Sequence, residues 1–531
     1  MEGAITLFTE IDGLRSSSVF NLGRSLHRAL SAAKKIIKKN LQLKFKSSSL
    51  PVSTSSSMEG EGRRKGQERK AKRQAKKQQE EEEEKGKAQE AAVVAAAAAV
   101  VKDVEDFTEE EAQRIRGSLL QWYDENHRVL PWRTASSSDH QKNNEEARAY
   151  AVWVSEVMLQ QTRVHTVVAY YNRWMAKWPT LHHLAAASQE EVNEMWAGLG
   201  YYRRARFLLE GAKSIVRGGE FPRTAAALRG VKGIGEYTAG AIASIAFNEV
   251  VPVVDGNVVR VLSRLKAISA NPKEAATVKS FWKLAGQLVD PSRPGDFNQA
   301  IMELGATLCS TTNPACSTCP ISDKCRAFSL SRNSETVRVT DYPTKVARAK
   351  QRHDFAAVCV VQIAEGSDQE VLKDSNKKHA FLLVKRPEEG LLAGLWEFPS
   401  VVLDEERMDM GTRRKAMDKY LKKLFNVDVG RNCNVILREH IGEYVHVFSH
   451  IRLQMHIELL ILTMKGGLKL LGDDEDHSTI SWKCVDGSSI DSMGLTSGVR
   501  KVYNMIQNFK LKQMSAHPIR APRKKAKRSS S

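Results

Sequence analysis

The sequence predicts a multidomain protein in which an all-helical domain is followed by an α+β domain, between terminal segments that we expect to be disordered. Apolar residues recur at three- and four-residue spacing from Phe107 to about Ala327, which is typical of helices. Strand-like apolar runs follow from Ala356 onward, and charged low-complexity segments lie at both ends. The chain has 531 residues, which is enough for two or three domains.

Residues 1–104 are predicted to be a disordered, basic segment of low complexity. Residues 13–57 contain nine Lys or Arg and no Asp or Glu, which is typical of an organelle transit sequence and equally of a disordered arm. The basic run Arg63–Lys77 is typical of a nuclear import signal. We therefore expect a nuclear protein, with the mitochondrion or a plastid as further destinations. A start at Met58 would remove the transit-like segment.

The two folded domains are predicted at residues 105–328 and 353–508, with a polar linker at 329–352 and a basic disordered tail at 509–531 that includes Pro522–Arg528. Thr108 followed by Glu111 is a capping-box start for the first helix. In the second domain, the pattern predicts strands at 356–363, 380–386 and 446–462 and a helix at 412–424. No apolar run approaches the roughly 18–20 residues that span a bilayer, so we expect no membrane association.

The net charge of +19 indicates a polyanionic partner such as nucleic acid. Residues 1–90 carry 20 basic and 12 acidic side chains, and residues 510–531 carry eight basic and none acidic. The excess charge therefore lies mainly in the terminal segments, where it favours nonspecific, salt-sensitive contact. Specific recognition is expected from the nearly neutral domains.

Four cysteines form the strongest local signal. They have the spacing C-x6-C-x2-C-x5-C, at Cys309, Cys316, Cys319 and Cys325. Four thiolates this close can bind zinc or an iron–sulfur cluster, and the spacing does not choose between them. Unligated thiols are the third interpretation. Seven cysteines in so long a chain are too few for a disulfide scaffold.

A glycine-rich turn between two helices is the second signal, in LRGVKGIGEYTAG from Leu228 to Gly240. Gly233 and Gly235 would let the backbone approach a phosphate, and the free amides at the start of the next helix would face it. This favours a grip on the DNA backbone without base reading. An ordinary helix–turn–helix is the alternative.

Two carboxylates are candidates for glycosidic-bond chemistry. Glu156 lies in the apolar run YAVWVSEVMLQQT, where burial would raise its pKa and favour an acid. Asp255 can cap the helix in VVDGNVVRVLSRL, where amide hydrogen bonds and the helix dipole would keep it ionised. One neutral and one charged carboxyl form the pair that cleaves glycosidic bonds. The alternatives are a solvent-facing glutamate and a purely structural cap.

Together, the cysteine spacing, LRGVKGIGEYTAG, VVDGNVVRVLSRL and SEVMLQQTRV closely resemble the helix-hairpin-helix DNA glycosylases that carry a [4Fe–4S] cluster. Within them the chain resembles the MutY-type adenine DNA glycosylases of eukaryotes. The resemblance is strong over residues 107–328 and weaker beyond. It implies a helix-hairpin-helix glycosylase domain with a [4Fe–4S] loop, followed by a MutT/Nudix-like domain.

The resemblance also implies roles for four residues in catalysis. Glu156 would protonate adenine at N7, and Asp255 would stabilise or transiently bond the sugar cation. Asn257 would orient water or Asp255. Tyr237 stands where relatives of the endonuclease-III type have a Schiff-base lysine, and a phenol cannot form that imine. We therefore predict a monofunctional glycosylase that leaves an abasic site.

Further residues are implied to contact DNA. Arg133, Trp132 and Gln299 would line the pocket for the flipped adenine, while Gln161 and Tyr201 would enter the duplex as wedges.

In the second domain, Phe448, Ser449 and His450 match the family's Phe-Ser-His loop, which contacts 8-oxoguanine opposite the adenine. The alternative is that they are three residues of a buried strand. After WEFP at Trp396–Pro399, the sequence lacks the Gly and the Arg-Glu…Glu-Glu pattern of a Nudix box that binds catalytic magnesium, so we predict no pyrophosphohydrolase activity.

We therefore predict an enzyme of base excision repair that hydrolyses the N-glycosidic bond of adenine paired with 8-oxoguanine or guanine in double-stranded DNA. An endonuclease-III-like glycosylase and lyase for oxidised pyrimidines and a non-catalytic DNA-binding scaffold are the alternatives. We expect a monomer that meets repair and replication proteins, although no motif identifies one.

Overall fold

A computed structural model of the chain describes residues 105–133, 142–346, 350–364, 379–404, 408–465 and 481–516. The predictions of disorder and targeting signals in residues 1–104, and that of a basic tail at Pro522–Arg528, lie outside the described residues. Within the described residues, no helix combines the length and the apolar character that crossing a membrane requires.

The first domain is helical, as predicted. Thr108 begins its first helix because its hydroxyl accepts a hydrogen bond from the backbone N–H of Glu111. The helices are α1 Glu109–Asn126, α2 Lys142–Leu159, α3 Val164–Lys177, α4 Leu181–Ala186, α5 Gln189–Trp196, α6 Arg203–Gly218, α7 Ala225–Leu228, α8 Glu236–Phe247, α9 Gly256–Leu265, α10 Ala275–Leu288, α11 Pro294–Ala306 and α12 Arg326–Asn333.

Two hydrophobic clusters hold these helices together. One surrounds α2, α6 and α8 and contains the fully buried Trp153, Trp174 and Trp196, each of which would cost roughly 3–5 kcal/mol to truncate to alanine. The other joins α1, α9, α10 and α11. Met302 packs against both clusters, so the boundary between them lies beside α11. This boundary positions the candidate site.

The second domain is α+β, as predicted. Its strands are β1 Arg352–Ala364, β2 His379–Lys385, β3 Trp396–Glu397, β4 Ser400–Leu403, β5 Cys433–Val447, β6 Ile451–Met464 and β7 Trp482–Asp486. The sheet has the order β3-β2-β1-β6-β5, with β4 paired to β1 and β7 to β2. β1 and β6 are parallel, and the other pairs are antiparallel.

Three helices complete the second domain: α13 Met410–Phe425, α14 Gly487–Ser492 and α15 Ser497–Ala516. One face of the sheet packs against α13. The other packs against α14 and α15. Both faces are therefore covered by helices, which explains the continuous apolar runs of β1 and β6.

Two boundary predictions were wrong. The linker predicted at 329–352 contains the end of α12 and a short 3-10 turn at Val339–Asp341, and Arg264 Nε donates to the carbonyl of Tyr342 at 3.0 Å. Polar side chains hold this segment, so it shows no apolar period. The tail predicted from 509 is helical up to Ala516, and the ammonium of Lys510 bonds Gln362 on β1. Its methylene chain can cover apolar surface although the residue is charged.

Candidate active site

Glu156 lies at the end of α2, where the helix faces the first hydrophobic cluster, and it is 7% exposed. Burial raises the pKa of its carboxyl to about 7, although a hydrogen bond from Tyr237 opposes the rise and the charge of Asp255 adds to it. A pKa near 7 therefore leaves a large protonated fraction of Glu156 at neutral pH, which an acid requires.

Tyr237 belongs to the first turn of α8 and donates its hydroxyl hydrogen to Glu156 Oε2 at 2.5 Å. The same hydroxyl lies 3.2 Å from Met302 Sδ on α11. Burial, followed by the charges of Glu156 and Asp255, raises the pKa of Tyr237 well above its usual value. The phenol is therefore a hydrogen-bond donor and not an ionised base.

Asp255 caps α9, as predicted, because its Oδ1 accepts the N–H of Val258 at 2.7 Å. Asn257 donates to Asp255 Oδ2 at 2.7 Å and accepts from Arg260 Nη2 at 2.8 Å. Arg260 Nε in turn donates to the carbonyl of Cys309 at 2.8 Å. A chain of hydrogen bonds therefore runs from the candidate carboxylate to the first cysteine of the cluster motif.

The cap does not decide the pKa of Asp255 as the sequence argument expected. Burial raises its pKa, while the hydrogen bonds from Val258 and Asn257 and the charge of Arg260 lower it without cancelling the rise. The sequence shows the cap, but it does not show how deeply the capped helix end is buried. More groups favour the anion at Asp255 than at Glu156.

Arg133 lies close enough to Glu156 for its charge to lower the pKa of that carboxyl. Its Nη2 contacts Glu303 Oε2 on α11 at 3.0 Å, and Arg128 binds the same carboxylate through Nε at 2.6 Å. Burial alone would raise the pKa of Glu303, but the two guanidinium groups outweigh it and hold the pKa at about 2. Glu303 was missed from the sequence and fixes the predicted Arg133.

Gln299 and Trp132 flank this network without direct bonds to Glu156. Gln299 is 9% exposed, lies one turn before Glu303 on α11, and donates to the carbonyl of Gly295 at 3.3 Å. Trp132 is buried and packs edge-on against Tyr171, with ring centroids 5.3 Å apart. Both side chains are therefore buried in the helical domain.

The predicted glycine turn joins α7 to α8 and is exposed. Gly233 has φ +90°, and a Cβ there would lie 2.6 Å from the Cβ of Phe207, so only glycine fits. Gly235 caps α8 without a side-chain acceptor. The first amides of α8 are therefore available to an external anion.

Gln161 and Tyr201 both have left-handed backbones, with φ +59° and +49°, and both are exposed. Arg204 on α6 joins the two segments: its guanidinium donates to the carbonyl of Val157 at 2.8 Å and to that of Gly200 at 3.2 Å. It also lies over the ring of Tyr201. Strained backbones of this kind persist only where the surroundings enforce them. Arg204 is a second residue that the sequence argument missed.

The four clustered cysteines line one open cavity next to α9 and α12. Arg264 is 1% exposed and places Nη1 3.1 Å from Cys309 Sγ. In the part of the chain that the structure describes, no three His, Cys, Asp or Glu side chains converge closely enough to hold one metal ion. The structure therefore gathers the four thiols around one shared cavity.

Phe448, Ser449 and His450 form the turn between β5 and β6, which we call the base-reading turn after the role predicted for it from the sequence. Ser449 and His450 are exposed, so the alternative of a buried strand is wrong. Ser449 Oγ lies 2.7 Å from Tyr201 Oη in the first domain. The structure thus joins a predicted wedge to the predicted turn.

Comparisons with known proteins identify the families of the two domains. The family described as HhH-GPD superfamily base excision DNA repair protein matches residues 154–287, and the NUDIX domain family matches residues 372–505. An adenine DNA glycosylase of Arabidopsis thaliana is 57% identical over 423 residues, covering 75% of this chain and 65% of the relative. The human adenine DNA glycosylase is 44% identical over 413 residues, covering 69% of this chain and 72% of the relative.

The chain belongs to the adenine DNA glycosylase family. The match spans about 65% of the length of the Arabidopsis relative. Among solved structures, a thermostable thymine-DNA glycosylase is 24% identical and aligns with 42% of this chain and 98% of its own, with a TM-score of 0.37.

The NUDIX-type domain of this family member carries cations on the helix that follows WEFP. Arg413 and Arg414 of α13 line a cavity together with His456 and Glu458. The carboxylate of Glu458 is bound by Arg414 and, at 3.1 Å, by Arg438. Magnesium prefers several oxygen ligands, and this arginine-rich lining does not offer them.

Proposed function

We propose that this protein is a monofunctional glycosylase that hydrolyses the N-glycosidic bond of adenine mispaired with 8-oxoguanine or guanine in double-stranded DNA. The observation that carries the proposal is the pairing of Glu156, a carboxyl whose pKa is raised to about 7, with Asp255, a carboxyl that accepts hydrogen bonds from Val258 and Asn257, at the boundary of the two hydrophobic clusters. Family membership supports the same reaction.

In the proposed reaction, Glu156 gives its proton to N7 of adenine, and the bond between the sugar C1′ and adenine N9 breaks with its electrons passing to the base. The carboxylate of Asp255 stabilises the resulting sugar cation. Water then attacks C1′ and loses a proton to Asp255 or solvent. Asn257 supports this role because it already orients Asp255 Oδ2.

Tyr237 supports the absence of a lyase step. Its hydroxyl donates to Glu156 and cannot form an imine with the sugar. By holding Glu156 Oε2, it leaves the other carboxyl oxygen to carry the transferred proton. This observation favours the hydrolytic reaction over an endonuclease-III-like one.

We further propose that Cys309, Cys316, Cys319 and Cys325 bind a [4Fe–4S] cluster. The four thiols line one cavity, and the resemblance carried by their spacing supports a cluster in place of zinc. When bound, the cluster would supply a cross-link between four positions of the loop after α11. Arg260 and Arg264 then join that loop to the helix that Asp255 caps.

DNA contact is proposed at three places. The exposed turn at Gly233 and Gly235 would grip a phosphate, and Gln161 and Tyr201 would enter the duplex. The base-reading turn would contact 8-oxoguanine. A nuclear location is also proposed, on the basic runs alone.

The test is single-turnover adenine release from duplexes with adenine opposite 8-oxoguanine, guanine or thymine, with thymine glycol opposite adenine as a fourth substrate. We expect release opposite 8-oxoguanine and guanine and no borohydride-trapped covalent complex. A trapped complex on thymine glycol DNA would instead establish a lyase. Absence of release from every duplex, with binding retained, would establish a scaffold.

A further inference from the structure

The two domains meet backbone to backbone at Gly494, which lies between α14 and α15. A Cβ on Gly494 would lie 2.5 Å from the backbone N of Glu194 and 2.7 Å from the carbonyl carbon of Asn193, both in α5. Gly494 is not among the described glycines with positive φ. Glycine is therefore needed here because the backbone of α5 lies so close, and not because of an unusual backbone conformation.

The segment around Gly494 is rigid on its own side. Leu495 is 3% exposed in the core of the second domain. Thr496 Oγ1 accepts the N–H of Val499 at 3.3 Å and so begins α15. Arg500 donates to the carbonyls of Ile490 and Met493 at 2.9 and 2.8 Å. A displacement of Gly494 would therefore move the segment as a unit.

This segment also contacts the strand that carries the base-reading turn. Gly498, at the start of α15, faces His446, and a Cβ there would lie 3.4 Å from His446 Nδ1. The ring of His446 packs against that of Phe448, with centroids 4.4 Å apart. Packing therefore continues from Gly494 to the first residue of the turn.

The helical domain touches the same two places through adjacent tyrosines. Tyr202 Oη donates to the carbonyl of Leu495 at 3.4 Å, and Tyr201 Oη lies 2.7 Å from Ser449 Oγ. The packing of Gly494 against α5 and the contact between Tyr201 and Ser449 are thus parts of one interface. A shift of Gly494 away from α5 would lengthen the contact between Tyr201 and Ser449.

We propose that Gly494 is a positioning residue for recognition of the base opposite adenine. Because Gly494 has no side chain, residues 493–498 pack directly against α5. This packing places Phe448 and Ser449 beside Tyr201. This inference rests on the proposed function, because it assigns the turn to reading 8-oxoguanine.

The test compares Gly494→Ala with Gly487→Ala in the full chain. A Cβ on Gly487 would meet its nearest atoms at 3.5 Å, an ordinary contact, so this variant adds the same methyl group without a clash. We measure single-turnover adenine release opposite 8-oxoguanine and opposite guanine, together with thermal unfolding. Gly494→Ala should lower the ratio of the rate opposite 8-oxoguanine to the rate opposite guanine roughly 10- to 100-fold, because small misplacements of a contact have effects of this size. The rate opposite guanine should stay within about twofold, and Gly487→Ala should keep the wild-type ratio.

A wild-type ratio in a folded Gly494→Ala protein would overturn the inference while leaving the proposed function intact. A wild-type chain that releases no adenine would overturn the proposed function and this inference with it. Tyr202→Phe is the second variant, since it removes a contact to Leu495 without adding an atom. It should lower the ratio in the same direction by a smaller factor, and it decides the matter if Gly494→Ala does not fold.

Discussion

Glu156 on α2 and Glu303 on α11 are both buried in the helical domain, at 7% and 1% exposure, but their pKa values move in opposite directions. Glu156 has a phenol as its hydrogen-bond partner, and burial raises its pKa to about 7. Glu303 is also buried, but Arg128 and Arg133 hold its pKa at about 2. The side chains that bind each carboxyl, and not the extent of its burial, therefore decide which glutamate can donate a proton and which one holds an arginine in place.

The largest expected effect is on catalysis at Glu156. Glu156→Gln keeps the shape and the bond to Tyr237 but removes the transferable proton, so adenine release should fall about 10²–10⁴-fold with mismatch binding retained. Single-turnover rates and equilibrium binding to an adenine–8-oxoguanine duplex measure the two quantities. Asp255→Asn, which keeps the helix cap, should also bind without release. A wild-type rate in either variant would remove that carboxyl from the mechanism.

The same Glu156→Gln variant should be more stable at pH 8. The folded pKa of about 7 lies above the unfolded value of about 4.5, so the carboxyl lowers stability as pH rises through this interval, and the loss is complete above pH 7. Removing it should raise the free energy of unfolding by up to about 3 kcal/mol at pH 8 and by little at pH 4. Equal gains at both pH values would show that burial does not raise this pKa.

Glu303→Gln tests the other side of the comparison. Removing this carboxylate leaves Arg128 and the more buried Arg133 without their shared anion, which should cost about 3 kcal/mol of unfolding free energy. Adenine release should also fall, because Arg133 loses the group that holds it near Glu156. Urea unfolding measures the first effect. Arg128→Gln is the control: Arg128 is 38% exposed and leaves Glu303 its bond to Arg133, so the cost should be only about 1 kcal/mol.

The pH dependence of adenine release gives the smallest effect. The rate should fall as pH rises through about 7, approaching tenfold per unit, because Glu156 loses its proton. It should also fall at low pH as Asp255 becomes protonated, with a pKa above the ordinary value of 3.8. Binding of Glu156→Gln over the same range is the control for DNA affinity. A rate that is flat between pH 6 and 9 would contradict the assignment of Glu156 as the acid.

The two candidate carboxyls could be singled out from the sequence because their signals are local. Glu156 lies in an apolar helical run, and Asp255 lies at a helix start. Glu303 sits in an equally apolar helix, but its partner Arg133 is 170 residues away, and no spacing rule connects them. Arg204 likewise binds carbonyls more than 40 residues earlier in the chain. Such residues are defined by packing between distant segments.

The same distinction between features with a clear local sequence signal and features without one applies to the secondary structure. Helices of the first domain follow their apolar period. The run 446–462 was predicted as one strand because Phe448–His450 contains no glycine, proline or asparagine to indicate a turn. β5 was only partly recognised, since register shifts between Val435 and Leu437 and between His440 and Gly442 interrupt its two-residue alternation.

Arg204 has a consequence for how substitutions in this protein would act. Because one guanidinium binds the segments of both Gln161 and Tyr201, their separation is set within the helical domain. If Gln161 and Tyr201 enter the duplex as proposed, the distance between their two points of entry is therefore set within the helical domain. Under the same proposal, substitutions in the second domain would change which opposite base is accepted without changing that distance.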